Sequence, residues 1–268
     1  MTQLTPVLGI VLRATGQSEG TSLVDRSTTT AKPVNRFVRK VVRGSPLRRV
    51  GGHCGSHVCV NGRSTPPPEG RSSRPPHDFD AIYAAGTAAW DIGRPQPGFE
   101  HLAAAGELVG RVLDVGCGTG EHALMAALLG YETVGIDMST RAVELARTKG
   151  AERGVEARFV VADALRLADL GEQFDTVLDC GLFHVLDDGE RERYVASLAE
   201  VVPPGGRYHM LCFSDRQPGD WGPRRVTQDE IRVAFSVGWR IESIESAVID
   251  ITWDPAGAMA WQVAAARR

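Results

Sequence analysis

From about residue 100 to the C-terminus, short apolar runs alternate with longer segments whose apolar residues recur at helical spacing. Arg111-Val112-Leu113-Asp114-Val115, Thr133-Val134-Gly135-Ile136-Asp137 and the runs 158–161, 174–179 and 207–213 are short and rich in branched residues. They read as strands buried on both faces. Residues 100–109, 121–129, 139–149 and 187–201 read as the helices between them. Gly130 follows the second helix where a left-handed residue is wanted, and Gly150 reads as the stop of the third. Ser139 caps the third helix, and Asp187 or Asp188 the fourth. Pro203-Pro204-Gly205-Gly206 turns the chain into the 207–213 strand. Thr227-Gln228-Asp229-Glu230 is a capping box before a short helix. Two strands, about 239–251 and 258–266, then follow with only the turn Asp254-Pro255-Ala256-Gly257 between them. The expected fold class is α/β: a seven-stranded, mostly parallel sheet with helices on both faces and a C-terminal antiparallel hairpin.

Before residue 77 this pattern is missing. The first 76 residues carry net charge +9 and eight of the 15 prolines, whereas 77–268 carry net −12. The boundary falls at Pro66-Pro67-Pro68-Glu69-Gly70-Arg71-Ser72-Ser73-Arg74-Pro75-Pro76. A segment so rich in Pro, Ser and Arg buries too little apolar surface to offset its ordering entropy, so disorder is expected. A targeting leader, weak attachment to nucleic acid or anionic surfaces and a start codon assigned too early are the other readings of 1–76. His53-Cys54-Gly55-Ser56-His57-Val58-Cys59 offers four metal-type ligands, but no second cluster follows, so no metal site is expected. The whole chain is net −3, which argues against nucleic acid as a partner. Its longest apolar run near the N-terminus, Pro6 to Leu12, is too short to span a membrane. Five cysteines in 268 residues fit a reducing, cytoplasmic setting.

Val112-Leu113-Asp114-Val115-Gly116-Cys117-Gly118-Thr119-Gly120 carries the chemistry. A strand runs into a glycine turn that opens a helix, which lets backbone approach a ligand closely. Ligands of such sheets lie at the carboxyl ends of the strands, where strand order reverses. The glycine spacing departs from the dinucleotide pattern, which wants a third glycine where Glu121 stands. A carboxylate there would oppose a pyrophosphate. Together with Asp114 it suits a ligand with an amino group and a positive sulfonium centre. Asp137 ends the next strand, where an acid takes ribose hydroxyls.

At these residues the chain resembles the class I S-adenosylmethionine-dependent methyltransferases. The resemblance covers about 77–268 and rests on the Asp114-x-Gly116-x-Gly118-x-Gly120 loop, Asp137, Ala162-Asp163-Ala164 and the closing hairpin. Phe79-Asp80-Ala81-Ile82-Tyr83 and Trp90-Asp91-Ile92-Gly93-Arg94-Pro95-Gln96-Pro97 are similar to bacterial small-molecule enzymes of the thiopurine, benzoquinone and heterocyclic-toxin groups. The resemblance implies a Rossmann-like fold, S-adenosyl-L-methionine as cofactor and methyl transfer to O, S or N of a small aromatic or heterocyclic acceptor. It implies that Gly116, Cys117, Gly118, Thr119 and Gly120 lie against the methionine part. Asp114 organises its amino group, and Asp137 holds the ribose. Met138 packs on the adenine, Asp163 and Ala164 hydrogen-bond the adenine, and Cys180-Gly181 closes over the methionine end. Plain core packing for Met138 and a turn cap for Asp163 stay open beside these roles.

Residues 79–94 are expected to fold over the cofactor as a lid, with Tyr83 and Trp90 as apolar faces and Arg94 on the methionine carboxylate or simply exposed. Tyr83 and Trp221 are the candidate acceptor contacts, Trp221 by stacking. Arg224 and Arg225 either attract an anionic acceptor or are solvated. Methyl transfer is a displacement at an already activated carbon, so the protein chiefly aligns the acceptor. A base is needed only for an acceptor protonated at working pH. His184, after the fourth strand, is the candidate base, beside a reading in which it only packs; Asp215 and His122 are weaker candidates. A cofactor-binding regulatory protein without catalysis and a nicotinamide oxidoreductase are the alternative functions. Oligomeric state is not legible.

Overall fold

The computed structural model describes residues 78–268; the expected disorder of 1–76 and the His53–Cys59 cluster lie outside the described residues. Seven strands form one sheet: β1 (Val112–Val115), β2 (Thr133–Asp137), β3 (Arg158–Val161), β4 (Thr176–Cys180), β5 (Arg207–Phe213), β6 (Trp239–Ile249) and β7 (Ala258–Arg267). Their order is β3-β2-β1-β4-β5-β7-β6, with β1 to β5 parallel and β7 antiparallel to both of its neighbours. The carboxyl ends of β1 to β5 therefore share one edge. Strand order reverses between β1 and β4, which opens a crevice there.

Among the described residues six helices surround the sheet: α1 (Phe79–Ala85), α2 (Pro97–Ala104), α3 (Glu121–Leu128), α4 (Thr140–Arg153), α5 (Asp188–Val201) and α6 (Gln228–Ala234); a 3₁₀ segment spans Ala164–Leu170. Alternation along the strands sorts the core into two layers. Leu113, Val115, Val177, Tyr208, Met210 and Val263 pack with Leu198 of α5 and Ile231 of α6. Val112, Leu178, Leu211 and Phe213 pack with Phe99 of α2 and Ala126 of α3.

Both acidic capping boxes form, Asp187 with Glu190 on α5 and Thr227 with Glu230 on α6. Ser139 caps α4 as expected. Four details differ from the sequence expectation. The first described helix, α1, lies in the segment expected as lid. Next, α2 begins at Pro97, because proline is at ease at the first helical position, whose N–H is unpaired anyway. The 164–170 segment was not foreseen. Last, α4 runs through Gly150 to Arg153 and ends on the left-handed Gly154. Gly150 serves packing instead: a Cβ there would sit 3.2 Å from the Val155 carbonyl and 3.4 Å from Leu124.

Candidate functional site

The loop after β1 makes its turns with three left-handed glycines, Gly116 (φ 68°), Gly118 (φ 53°) and Gly120 (φ 86°). Their missing side chains also matter. A Cβ on Gly118 would stand 2.6 Å from the Tyr83 hydroxyl, and one on Gly116 3.1 Å from Leu182. Backbone is therefore the surface of the crevice here. Asp114, 1% exposed, is the one polar residue of β1. One carboxylate oxygen accepts from Ala123 N–H at 3.0 Å and so caps α3, whose N-cap Gly120 has no side chain to do it. The other is buried without a protein partner. Burial pushes the Asp114 carboxyl up to about 7, with Asp137 and Asp179 adding repulsion. Cys117 is buried in the loop, its thiol raised by the same causes.

Asp137 ends β2, half-buried. Its two oxygens accept from Gly118 N–H (2.9 Å) and Ser139 N–H (2.8 Å), so it ties the two loops of this edge together. Burial raises its pKa against those bonds. Met138 beside it is 70% exposed, so it is not the core residue of the alternative reading. Asp163 caps the 3₁₀ segment through Leu165 N–H at 2.9 Å, with Ala164 buried next to it. Cys180-Gly181 lies where β4 ends, beside β1. Asp179 was not singled out in the sequence. Fully buried, it accepts from Tyr194 (2.9 Å), Tyr208 (2.7 Å) and Leu182 N–H (2.9 Å), so it shapes the turn that carries Gly181. Burial raises it to about 6.

The 79–96 segment lies across the glycine loop. Trp90 donates from Nε1 to the Tyr83 hydroxyl at 2.9 Å, and its ring meets Tyr83 and Phe79 edge-on. Tyr83 is buried against Gly118, which makes it a neighbour of the loop rather than of the β4–β5 side. Asp80 pins α1 to the start of α4 through Ser139 Oγ (2.5 Å) and Arg141 N–H (3.0 Å). Arg94 pairs with Asp250 at 2.6 Å. Gln96 clasps Asp250 from both sides, donating to its carbonyl (3.0 Å) and accepting from its N–H (2.8 Å).

Glu121 also differs from expectation. Its carboxylate is 6% exposed and pairs with Lys149 (2.8 Å) and Arg153 (2.7 Å) of α4. Burial raises its pKa, but the two cations outweigh that and leave it lowered. Its charge is thus answered within the protein. The glycine spacing, not a repulsive carboxylate, is what departs from the dinucleotide pattern.

His184 is buried after β4, at the same edge. Its Nδ1 accepts from Phe213 N–H at 3.0 Å, and its ring meets Phe213 edge-on. With Nδ1 held as acceptor, the neutral ring carries its proton on Nε2, so the bond to Phe213 must break before His184 takes up another. His122 is likewise occupied: Nε2 accepts from Gln96 N–H (3.1 Å), and burial lowers its pKa to about 4. Asp215 is exposed and accepts from Trp261 Nε1 at 3.2 Å. Trp221 stands edge-on between Phe213 (5.6 Å between centroids) and Trp253 (4.7 Å), and Trp253 of the β6–β7 turn was not foreseen. Arg224 pairs with Asp188 and Glu230. Arg225 spends its guanidinium on the carbonyls of Gln217, Pro223 and Gly219 and lies over Trp221 and Phe213. Neither arginine is simply solvated, and both already have partners within the protein. Among the described residues, no group of His, Cys, Asp and Glu is arranged to hold a metal. No described helix is long and apolar enough to cross a membrane.

Residues 112–206 match the family described as Methyltransferase domain. The chain is 34% identical over 183 residues to the 2-heptyl-1-hydroxyquinolin-4(1H)-one methyltransferase of Mycobacteroides abscessus, covering 67% of this chain and 75% of that protein. It is 30% identical over 170 residues to probable thiol methyltransferase 2 of Arabidopsis thaliana, covering 62% and 75%. A solved structure described as "Conversion of a Disulfide Bond into a Thioacetal Group during Echinomycin Biosynthesis" shares 38% identity and a TM-score of 0.63, over 70% of this chain and 91% of that one. These relatives favour neither the nicotinamide oxidoreductase nor the non-catalytic alternative. With the glycine loop, the acid-ended strands and the closing hairpin in place, the chain belongs to the class I S-adenosylmethionine-dependent methyltransferases that act on small molecules.

Proposed function

We propose that this enzyme methylates a planar heteroaromatic hydroxyl or a thiol that ionises by itself near neutral pH, held over the ends of β4 and β5. The observation that carries the reading is His184. Its Nδ1 is engaged by Phe213 N–H and His122 Nε2 by Gln96 N–H, so both histidines have given up the lone pair a base needs. A site whose candidate bases are so committed suits an acceptor that arrives as an anion. The hydroxyquinolone and thiol enzymes among the relatives carry acceptors of this kind in their names. Half-buried Trp221, backed by Phe213, supplies flat apolar surface at the same edge.

The cradle fits S-adenosylmethionine. Asp114 has a buried oxygen without a protein partner, the right chemistry for an ammonium group, and Gly116 and Gly118 keep the loop beside it free of side chains. We assign the methionine end to Asp114, the 116–120 loop and Cys180-Gly181. The ribose goes to Asp137, whose carboxylate has lone pairs beyond the two already used. The adenine goes to exposed Met138 with Asp163 and Ala164. Bound there, the cofactor supplies the activated methyl group. The protein's share is then to orient the acceptor in line and to exclude water, with Tyr83 and Trp90 covering the loop. Arg94, paired with Asp250, has no part in this assignment.

The test is an acceptor panel of hydroxyquinolones, thiols, quinols and aliphatic amines, followed by S-adenosylhomocysteine formation. Turnover of the first two groups, with a rate that climbs through the acceptor's own pKa, is expected. Turnover confined to amines would overturn the reading.

A further inference from the structure

The loop Gly116-Cys117-Gly118-Thr119-Gly120 has a single hydroxyl side chain. Thr119, 5% exposed, donates to Asp91 Oδ1 at 2.9 Å. Its oxygen accepts from Lys149 Nζ at 2.6 Å. The same ammonium donates to Glu121 Oε1 at 2.8 Å and lies 3.5 Å from Asp91. Four pieces of chain meet at this hydroxyl: the segment after α1, the glycine loop, the first turn of α3 and α4. Asp91 directly follows Trp90, whose partner Tyr83 lies against Gly118. Further along the segment, Ala89 accepts from Thr252 N–H at 2.8 Å, and Gln96 clasps Asp250. Residues 89–96 are therefore strapped to the β6–β7 turn at both ends, through Ala89 and Gln96, and to the glycine loop between them, through Asp91.

We propose that Asp91 and Lys149 are positioning residues for cofactor binding: through the Thr119 hydroxyl they hold the glycine loop in its binding conformation and lock the strap over it. Three left-handed glycines give the loop a wide choice of conformations. Its other anchors are the Gly118 N–H on Asp137, the Cys117 N–H on the Ile136 carbonyl (2.8 Å), the turn bond from Gly120 N–H to the Cys117 carbonyl (2.9 Å) and a weak thiol contact from Cys117 to the Gly118 carbonyl. Thr119 is the loop side chain through which Asp91 and Lys149 hold it. Because the network is partly shielded from water and one partner on each side is charged, its bonds are of the stronger kind. Losing them releases the loop and the strap together.

The proposal rests on the reading of this loop as the cofactor site, and the experiment separates the two. Titration calorimetry of the full chain with S-adenosylhomocysteine is run on Asp91→Ala, Thr119→Val, their double variant, Thr119→Ser and Asp137→Ala, with the unfolding midpoint of each free protein. Asp91→Ala and Thr119→Val should each weaken binding by about tenfold, and the double variant should lose clearly less than the product of the two losses, because the Asp91–Thr119 bond is removed by both. Thr119→Ser should bind like the wild type. The free-protein midpoints should not track the affinities, as they would for a merely structural role. Losses that multiply in the double variant, or wild-type affinity for Asp91→Ala and Thr119→Val while Asp137→Ala binds poorly, would overturn the strap proposal alone. Wild-type affinity for Asp137→Ala would remove the site reading beneath it. Should Asp91→Ala not fold, Lys149→Met takes its place, and full affinity there counts against the proposal.

Discussion

Asp114 caps α3 with one oxygen and leaves the other buried and unpartnered. The cost of that arrangement is a carboxyl raised by burial to about 7. An acid whose folded pKa lies above its unfolded value contributes stability fully present below about pH 4 and lost as pH rises through the folded value. The free enzyme should therefore be stabilised by mild acid at this residue, and Asp179, raised to about 6, acts in the same direction. A cationic ligand reverses the preference, because it favours the ionised carboxylate. S-adenosylhomocysteine binding should strengthen between about pH 5 and 7 with proton release, and level off above. Calorimetry at pH 6 in two buffers of different ionisation enthalpy would show the released proton, and Asp114→Asn should abolish it. Tyr208→Phe removes one of two phenol bonds to buried Asp179. It should destabilise the fold by about 1–3 kcal/mol in urea unfolding, with catalysis affected less than stability.

Arg225 acts at the scale of an element. It holds residues 217–225 in shape through three carbonyls while its face covers Trp221 and Phe213. Arg225→Ala should open this loop to limited proteolysis and raise the acceptor KM, while cofactor affinity stays within twofold of wild type. Equal loss of both affinities would show that the loop serves the whole crevice. At the other end of the scale, capping is local and legible. Asp187→Ala should cost about 1 kcal/mol of stability, read from the shift of the unfolding midpoint.

At the scale of the molecule, β7 pairs with the whole of β5 on one side and with β6 on the other. It buries Val263, Ala265 and Trp261 in the larger core cluster. A chain ending at Gly257 loses both ladders and leaves β5 as an open edge. It should be recovered unfolded or aggregated; a soluble fragment that binds S-adenosylhomocysteine would contradict this view of the hairpin.

Strand and helix periods, the Thr227–Glu230 capping box and the glycine loop were legible along the chain because each depends on residues within a few positions of one another. The cofactor family followed from the spacing of Asp114, the glycines and Asp137 at consecutive strand ends. The sequence had no means of showing partners brought from far away. Arg94 looked available until Asp250, 156 residues on, took it. Glu121 looked like an open negative charge until α4 supplied Lys149 and Arg153. His184 read either as a base or as a packed residue, and only β5 shows its Nδ1 accepting from Phe213 N–H. Gly150 reads as a helix stop from its neighbours in sequence, but packing against Leu124 and Val155 made it a close-contact residue inside α4. Local pattern determined the elements and the kind of site. Tertiary structure alone decided which polar groups remain available to a ligand, because a charge or lone pair is spent on whatever partner the fold brings within hydrogen-bonding distance.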